Sequence, residues 1–530
     1  MPDRSAVAIE AKEQVRAQAF PHREPGGLSV ATAVGEDGAA SASQVVLLLL
    51  AGGVFIAARL WRLTSYGLYG DEIFSLRLAS ANWTELIAGV ARDVVHPPLF
   101  YMLLKIWMSL GGNSVPWLKL YPVITSIASL PPLLLLCREL KMNRAAVNLA
   151  LGLIAVNAYL VYYSQELRMY SLLLTLTAYS LWLFAKLINS DRASNWLRAA
   201  LFIVNLMLVY THYYGWLIVV AQTLFVLLWA RRQLKSSILS FGLLALGFSP
   251  WAYAVVRAAI EKGGLKSNLG WARRPGLSDV FWYYLNLDGP ITYRWESFGH
   301  AYKPLYAVCG AVVLLFTYSI VAYGARALRS NRTENESGRV AFIWLAMFSF
   351  LPVAISVLAS HLLPQSVWEI RFLIASAPSY IILLAVSALQ LHPKWLKMVT
   401  VFVVMGWATL SGFAELQNRE KLAIQPMVQR MINDETEQAA TVPIYLDNSN
   451  VGQAIEFYLE RADDRRFEID YVDDFSALEG NHFWVASLKY RFDGKPPATD
   501  ILVERGYRVG EGYSAESPGH KVFLLPVWNR

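Results

Sequence analysis

Hydrophobic and polar positions in this chain fall into blocks, not into a short alternation. Apolar runs close to the roughly 20 residues that carry a helix across a bilayer recur from residue 44 to residue 414, separated by short polar connections. The blocks predict eleven membrane-spanning helices, near 44–62, 116–137, 145–163, 170–188, 197–212, 214–230, 237–256, 303–324, 340–359, 372–391 and 396–414. The run from Pro97 to Leu110 is shorter and contains Lys105, which suits an interfacial or re-entrant helix better than a span. Residues 1–43 are polar and mixed in charge, and read as a disordered tail. Residues 415–440 read as a polar amphipathic linker helix. From 441 to 530 the period changes: VPIYLD, FEIDYV, HFWVASL and KVFLLPV have strand patterns, and AIEFYLERA has a helical one. The predicted fold class is an all-α polytopic membrane protein, residues 44–414, with a small C-terminal α/β domain.

Composition narrows the function. Of 530 residues, 55% are hydrophobic and 16% charged, against roughly 25% charged in soluble proteins. That excludes an intrinsically disordered chain and a plain cytosolic enzyme. The two cysteines, Cys137 and Cys309, lie in apolar runs, so free thiols are expected and a disulfide scaffold is excluded.

The net charge of +7 is not a nucleic-acid signal, because the basic residues gather in short connections between apolar runs. With the tail inside, the inner connections carry Arg138, Lys141 and Arg144, then Lys186, Arg192 and Arg198, then Arg231, Arg232 and Lys235. Arg326, Arg329, Arg332 and Arg339 follow, then Lys394 and Lys397, while the short outer turns keep only Arg168 and Arg371. This is the positive-inside pattern of a multi-pass membrane protein with a cytoplasmic N-terminus. A twelfth span at 97–110 would invert every later connection. Two long outer loops result, 63–115 and 257–302, and parity puts the C-terminal domain on the outer, periplasmic side. The second loop carries Trp271, Trp282, Tyr283, Tyr284, Asp288, Trp295, Glu296 and His300. Its aromatics suit an interfacial belt first and a sugar-stacking face second.

Ionisable groups are costly near lipid, on the order of 2.5–3.5 kcal/mol for an Arg or Asp at a helix centre. Several stand where spans reach the outer face. Asp71 and Glu72 follow a glycine-punctuated turn, Tyr66-Gly67-Leu68-Tyr69-Gly70. Adjacent acids there can point one carboxylate at a substrate and the other at a structural partner or a metal. His96 precedes Pro97 and Pro98 at a helix start, where the dipole favours an anion. The turn Tyr163 to Tyr170 holds Gln165, Glu166 and Arg168, and the guanidinium suits either lipid phosphates in general or one particular phosphate. His212 and Tyr213 mark the next outer turn, and Glu369 and Arg371 another. Each has an ordinary reading as an interfacial or self-neutralising group. Together they put a carboxylate pair, phosphate-binding cations and aromatics on one side of one membrane. Walker loop, dinucleotide fingerprint, HExxH and CxxC patterns are absent.

The strings GDEIFSLRLAS, HPPLFYMLLKIW, YYSQELRMYSLL and THYYGW resemble the bacterial polytopic glycosyltransferases of the GT-C superfamily, in particular the protein O-mannosyltransferases and the lipid A aminoarabinose transferase. The resemblance covers about 44–415. It implies transfer of a hexose or pentose from a polyprenyl-phosphate-linked donor to a glycan, lipid or protein acceptor at the periplasmic face of the bacterial inner membrane. It further implies a catalytic pair at Asp71 and Glu72, with Asp71 as general base of an inverting displacement. Donor phosphate and sugar contacts fall on His96, Glu166, Arg168, Tyr170, His212, Tyr213, Glu369 and Arg371. The aminoarabinose enzymes carry a Lys at the position of His96. No cofactor is required. A divalent cation, Mg or Mn, is compatible with the acid pair, though no ligand spacing demands one. The alternatives are a transporter or flippase of polyprenyl-linked sugars and a membrane polysaccharide polymerase or ligase. A transporter would carry its charges at mid-span, and here they sit at the outer ends.

Overall fold

The protein is described here by a computed structural model covering residues 28–30, 42–65, 67–261, 272–288, 303–329, 336–418, 423–435, 441–472, 475, 478, 480–489, 498–517 and 520–529. Nearly all of the expected N-terminal tail, and Trp271, Trp295, Glu296 and His300 of the second long loop, lie outside the described residues. Helix α1 (Ala42–Leu60) leads into three shorter helices, α2 (Asp71–Ser80), α3 (Trp83–Asp93) and α4 (Leu99–Gly111). Next come α5 (Val115–Ile127), α6 (Leu130–Glu139), α7 (Arg144–Val156) and α8 (Ala158–Tyr163). Helices α9 (Tyr170–Asn189), α10 (Asn195–Thr211), α11 (Gly215–Trp229), α12 (Leu234–Glu261) and α13 (Leu277–Asp288) follow. The bundle ends with α14 (Lys303–Arg329), α15 (Glu336–Leu362), a 3₁₀ segment (Ile370–Ser376), α16 (Ala377–Leu389) and α17 (Lys394–Asn418).

Among the described residues, eight helical stretches are long and apolar enough to cross a membrane. The remaining three expected spans fall on shorter apolar helices: α7, α10 and α11. The expected single span over 145–163 is interrupted. Asn157 caps α8 by accepting from the Leu160 N–H, and its amide donates to the Leu287 carbonyl. The carbonyls freed at the end of α7 find Arg59, buried near the end of α1. It donates to Ile154 O and Ala155 O, and also to Ser126 Oγ. An arginine that the pattern left inside a span is thereby satisfied by carbonyls that a helix end leaves without partners.

Helix α4 lies against its neighbours at one end of the bundle. Lys105 Nζ donates to the Ala79 and Ala81 carbonyls at the end of α2, as a cation at a helix C-terminus should. Trp107 and Trp117 stack at 4.2 Å and exchange indole N–H bonds with each other's carbonyls. Asp71 and Arg168, separated in sequence by the apolar stretch 115–139 and the shorter apolar helix 144–156, lie 3.9 Å apart at one end of the bundle.

The C-terminal part begins with α18 (Ile424–Asp434), amphipathic through Ile424, Met427, Val428 and Met431 at helical spacing. The long helix before it runs to Asn418, past the expected boundary at 414. Strand β1 (Val442–Leu446), α19 (Ser449–Ala462), β2 (Phe467–Tyr471), β3 (His482–Lys489), α20 (Thr499–Glu504), β4 (Tyr507–Val509), β5 (Tyr513–Ser517) and β6 (His520–Asn529) complete it. The sheet order is β2-β1-β3-β6-β4, with β5 also on β6. Strand β1 is parallel to β2 and β3, and β6 is antiparallel to β3, β4 and β5. Strands β4 and β5 are additional to the four predicted. They are short, and both pair with β6.

Helix α19 docks on the loop and helix that carry the candidate acid. Tyr458 Oη donates to Leu68 O at 2.8 Å, and Arg77 pairs with Glu456. Gly67 lies so close to the Tyr458 hydroxyl that a Cβ there would collide with it. The sheet domain and the Asp71 loop therefore occupy the same end of the bundle.

Candidate active site

Three connections that are far apart in sequence meet at that end. Gly70 enters α2 with φ 46°, a left-handed value that favours glycine, and so turns Asp71 into the helix's first turn. The second connection, 164–169, is pinned along its length. Gln165 Nε2 donates to Arg59 O (2.8 Å) and Trp61 O (3.0 Å), and Leu167 N–H donates to Glu72 Oε1 (2.9 Å). Between those anchors Arg168 Nη1 reaches Ser75 Oγ (2.8 Å) and Asp71 O (3.2 Å). Its Nη2 stands 3.9 Å from Asp71 Oδ2. The third connection is the 3₁₀ segment. There Arg371 Nη1 donates to the same Oδ2 at 3.0 Å, and Arg371 Nε lies 3.7 Å from Glu369 Oε1.

One carboxylate thus sits between two guanidiniums. Arg168 first, and Arg371 after it, hold the Asp71 carboxyl down at about 2 against the opposing effect of burial. Half of the side chain, 51%, remains open to solvent. Burial pushes the Glu369 carboxyl up, and Arg371 opposes it.

Behind the ion cluster lies an aromatic wall. His96 and His212 meet edge to face at 5.2 Å, and Phe372 contacts them at 5.7 and 4.7 Å. The two histidines are 3% and 1% exposed. Burial drives both imidazoles well below their ordinary value, and nearby cations reinforce it, so both are neutral at neutral pH. His212 Nδ1 accepts from Tyr214 N–H, which places its proton on Nε2. His212 Nε2, both nitrogens of His96, Arg168 Nε and Tyr170 Oη are buried and lack hydrogen-bond partners among the described residues. Leaving such a group unsatisfied costs about 1–3 kcal/mol. Five such atoms lie beside the ion cluster and in its aromatic wall.

The expected residues separate into groups. Asp71, Arg168, Glu369 and Arg371 form the ion cluster, and His96 and His212 the wall. Tyr170 begins α9 beside them, its ring edge-on to Tyr163 at 4.9 Å. Glu166 turns toward Tyr162, whose hydroxyl lies 3.4 Å from Oε1. The Tyr213 hydroxyl accepts from Trp251 Nε1 at 3.3 Å, and burial pushes it up to about 12.

Glu72 departs from the expected catalytic pair. One residue along a helix rotates a side chain by about 100°, and Glu72 points inward, 3.1 Å from Lys119 Nζ. Tyr283, expected on an aromatic belt, is fully buried and bonds Ser376 and Leu373 O, bracing the 3₁₀ segment.

The sequence reading missed Ser75, Tyr101 and Lys119. Ser75 lies one turn after Asp71. Tyr101 Oη is 3.5 Å from Arg168 Nη1, and burial pushes its hydroxyl up to about 12. Lys119 had a signal, as a lone cation in the apolar run VPWLKLYP. Among the described residues no group of three or more His, Cys, Asp or Glu gathers as a metal-ligand set.

No family model and no curated protein sequence matches this chain. Solved structures do. ArnT from Cupriavidus metallidurans in the apo state aligns with a TM-score of 0.51 at 14% identity, over 91% of this chain and 98% of that one. Bound to undecaprenyl phosphate, the same protein aligns at 0.49 and 13% identity, over 92% and 98%. The Archaeoglobus fulgidus oligosaccharyltransferase, in complex with Zn and sulfate, aligns at 0.51 and 14% identity, over 90% and 72%. At such identity the likeness is one of architecture, and the architecture this chain shares with these proteins is the GT-C fold.

Proposed function

We propose that the protein is an inverting membrane glycosyltransferase, moving a hexose or pentose from a polyprenyl-phosphate-linked donor to a glycan, lipid or protein acceptor. In this reading the 44–414 bundle is catalytic, the N-terminus is cytoplasmic, and the active end and the 441–530 domain face the periplasm of a bacterial inner membrane. One observation carries it: a half-exposed carboxylate held between two guanidiniums, at the end of a membrane bundle. The shared GT-C architecture supports it.

The chemistry follows from the leaving group. A polyprenyl phosphate departs as a phosphate monoester with a second pKa of about 6, so it needs no general acid. One base for the acceptor hydroxyl is sufficient, unlike in glycosidases, which must protonate a leaving alcohol. Arg168 and Arg371 grip the phosphate and offset the charge that grows on it. His96 and His212, both neutral, donate to or accept from sugar and phosphate oxygens without adding charge, and Tyr170 offers its hydroxyl. Glu369 orients Arg371. Asp71 takes the acceptor's proton. In the resting arrangement it is a weak base, because the arginines stabilise its ionised form. A bound phosphate draws on those same arginines and adds negative charge beside Asp71, and both effects raise its basicity once the donor is in place.

A divalent cation fits poorly beside Asp71, where two fixed positive charges within 4 Å oppose it. The test is incubation of purified full-length protein with a labelled polyprenyl-phosphate sugar and envelope extract. Release of free polyprenyl phosphate with an inverted anomeric product is expected. No acceptor-dependent release, or a retained anomer, overturns the reading.

A further inference from the structure

Among the described residues, Glu72 and Lys119 form a deeply buried ion pair at this end of the bundle, with side chains 3% and 2% exposed. Isolating two charges from water is costly, and a buried pair is weak evidence of stabilisation in itself. Its geometry suggests a different use. A single oxygen, Glu72 Oε1, faces Lys119 Nζ at 3.1 Å and accepts from the backbone N–H of Leu167 at 2.9 Å. It therefore joins α2, α5 and the 164–169 connection. Leu167 directly precedes Arg168, and Glu72 directly follows Asp71. The two residues whose side chains meet outside are thus tied to each other, one position away, inside the fold.

We infer that Glu72 and Lys119 are positioning residues that set the Arg168 guanidinium at its distance from Asp71. The inference rests on the reading of Arg168 as a phosphate contact. Gln165 anchors the upstream side of the connection to the end of α1. Without the Leu167 tie, the backbone at 167–168 loses a fixed attachment to α2, and the Arg168 side chain has to hold that register through its own contacts. The Arg168 contacts with Asp71 and Ser75 all lie on α2. Lys119 has a separate part. Its ammonium stands 3.1 Å from the oxygen that accepts from Leu167 N–H, and an acceptor paired with a cation makes a shorter and stronger hydrogen bond than a neutral one. Apolar packing could fill the same volume, but it offers the peptide N–H nothing.

Two double variants of the full chain test that bond, because neither leaves a charge buried at position 72 or 119. Glu72→Gln with Lys119→Met keeps an acceptor for Leu167 N–H, and Glu72→Leu with Lys119→Met removes it. Binding of undecaprenyl phosphate is measured in lipid nanodiscs, with Arg168→Ala as reference. The Leu/Met chain is expected to bind about tenfold more weakly than Gln/Met, in the direction of Arg168→Ala. Its turnover is expected to fall by up to about 100-fold, the usual effect of a 1 Å misplacement. Equal binding by the two double variants overturns the inference. If the Leu/Met chain does not fold, hydrogen exchange at the Leu167 amide decides: slow exchange in the parent and Gln/Met chains is expected, and fast exchange in the parent overturns it. A parent chain that binds no polyprenyl phosphate counts against the phosphate reading alone, since the amide exchange still tests the tie.

Discussion

Replacing Asp71 by Asn should separate binding from chemistry in opposite directions. The amide keeps the size and hydrogen-bonding reach of the carboxylate but cannot take a proton. Loss of a positioned base lowers kcat by about 10²–10⁴. Donor binding should move the other way. The Asp71 carboxylate lies 3.0 Å from Arg371 and 3.9 Å from Arg168, so it competes with an incoming phosphate for both cations. Treated as if in water, these attractions are about 1.4 and 1.1 kcal/mol. The side chain is half exposed, so the water limit is the right one, and salt screens it further. The phosphate recovers only part of that sum, because it need not displace both contacts. A gain of about 1 kcal/mol, or roughly fivefold tighter binding, is the expected size. The assay pairs titration of undecaprenyl phosphate into the purified variant with single-turnover release from a labelled donor. Turnover within tenfold of the parent would remove Asp71 from the role of base. Binding weakened tenfold or more would mean that Asp71 holds the donor, directly or through a cation, and does not compete with its phosphate for the arginines.

Four other outcomes are expected. Asp71 is depressed to about 2, so the active, ionised base is present above that value and lost only as pH falls through it. The pH profile of kcat/KM should therefore show no acidic limb from Asp71 between pH 8 and 4, and Arg371→Gln should raise the limb toward the ordinary carboxylate range. Histidine-like titration of kcat/KM near pH 6.5 should also be absent, since His96 and His212 are held neutral. A chelator should leave turnover within about twofold, and loss restored by Mg or Mn would contradict the charge argument for Asp71. Finally, Gly67→Ala should force a Cβ against the Tyr458 hydroxyl and destabilise the docking of the C-terminal domain by about 1–3 kcal/mol; an unchanged thermal midpoint would show that the two parts do not press on each other there.

Much of this molecule was legible in its sequence because a bilayer imposes length and polarity rules that local composition obeys. The apolar blocks placed the helices. Lys105, lone in its run, finds its partners at the carbonyl end of α2. The same rules made Asp71, His96, Arg168 and Arg371 conspicuous, since charges at span ends are expensive unless they serve a purpose.

Composition could not say which charges meet. Asp71 and Glu72 look like one pair in the string, yet the helix turns them about 100° apart, one to the arginines and the other to Lys119. Nor could it foresee that Arg59, in an apolar run, would settle on the carbonyls of a helix interrupted at Asn157. Nor did an aromatic-rich loop reveal that Tyr283 would be buried against the 3₁₀ segment. Periodicity along the chain determines which face of each helix is apolar. Packing between helices far apart in sequence decides which polar atom finds a partner, and that is a property of three dimensions.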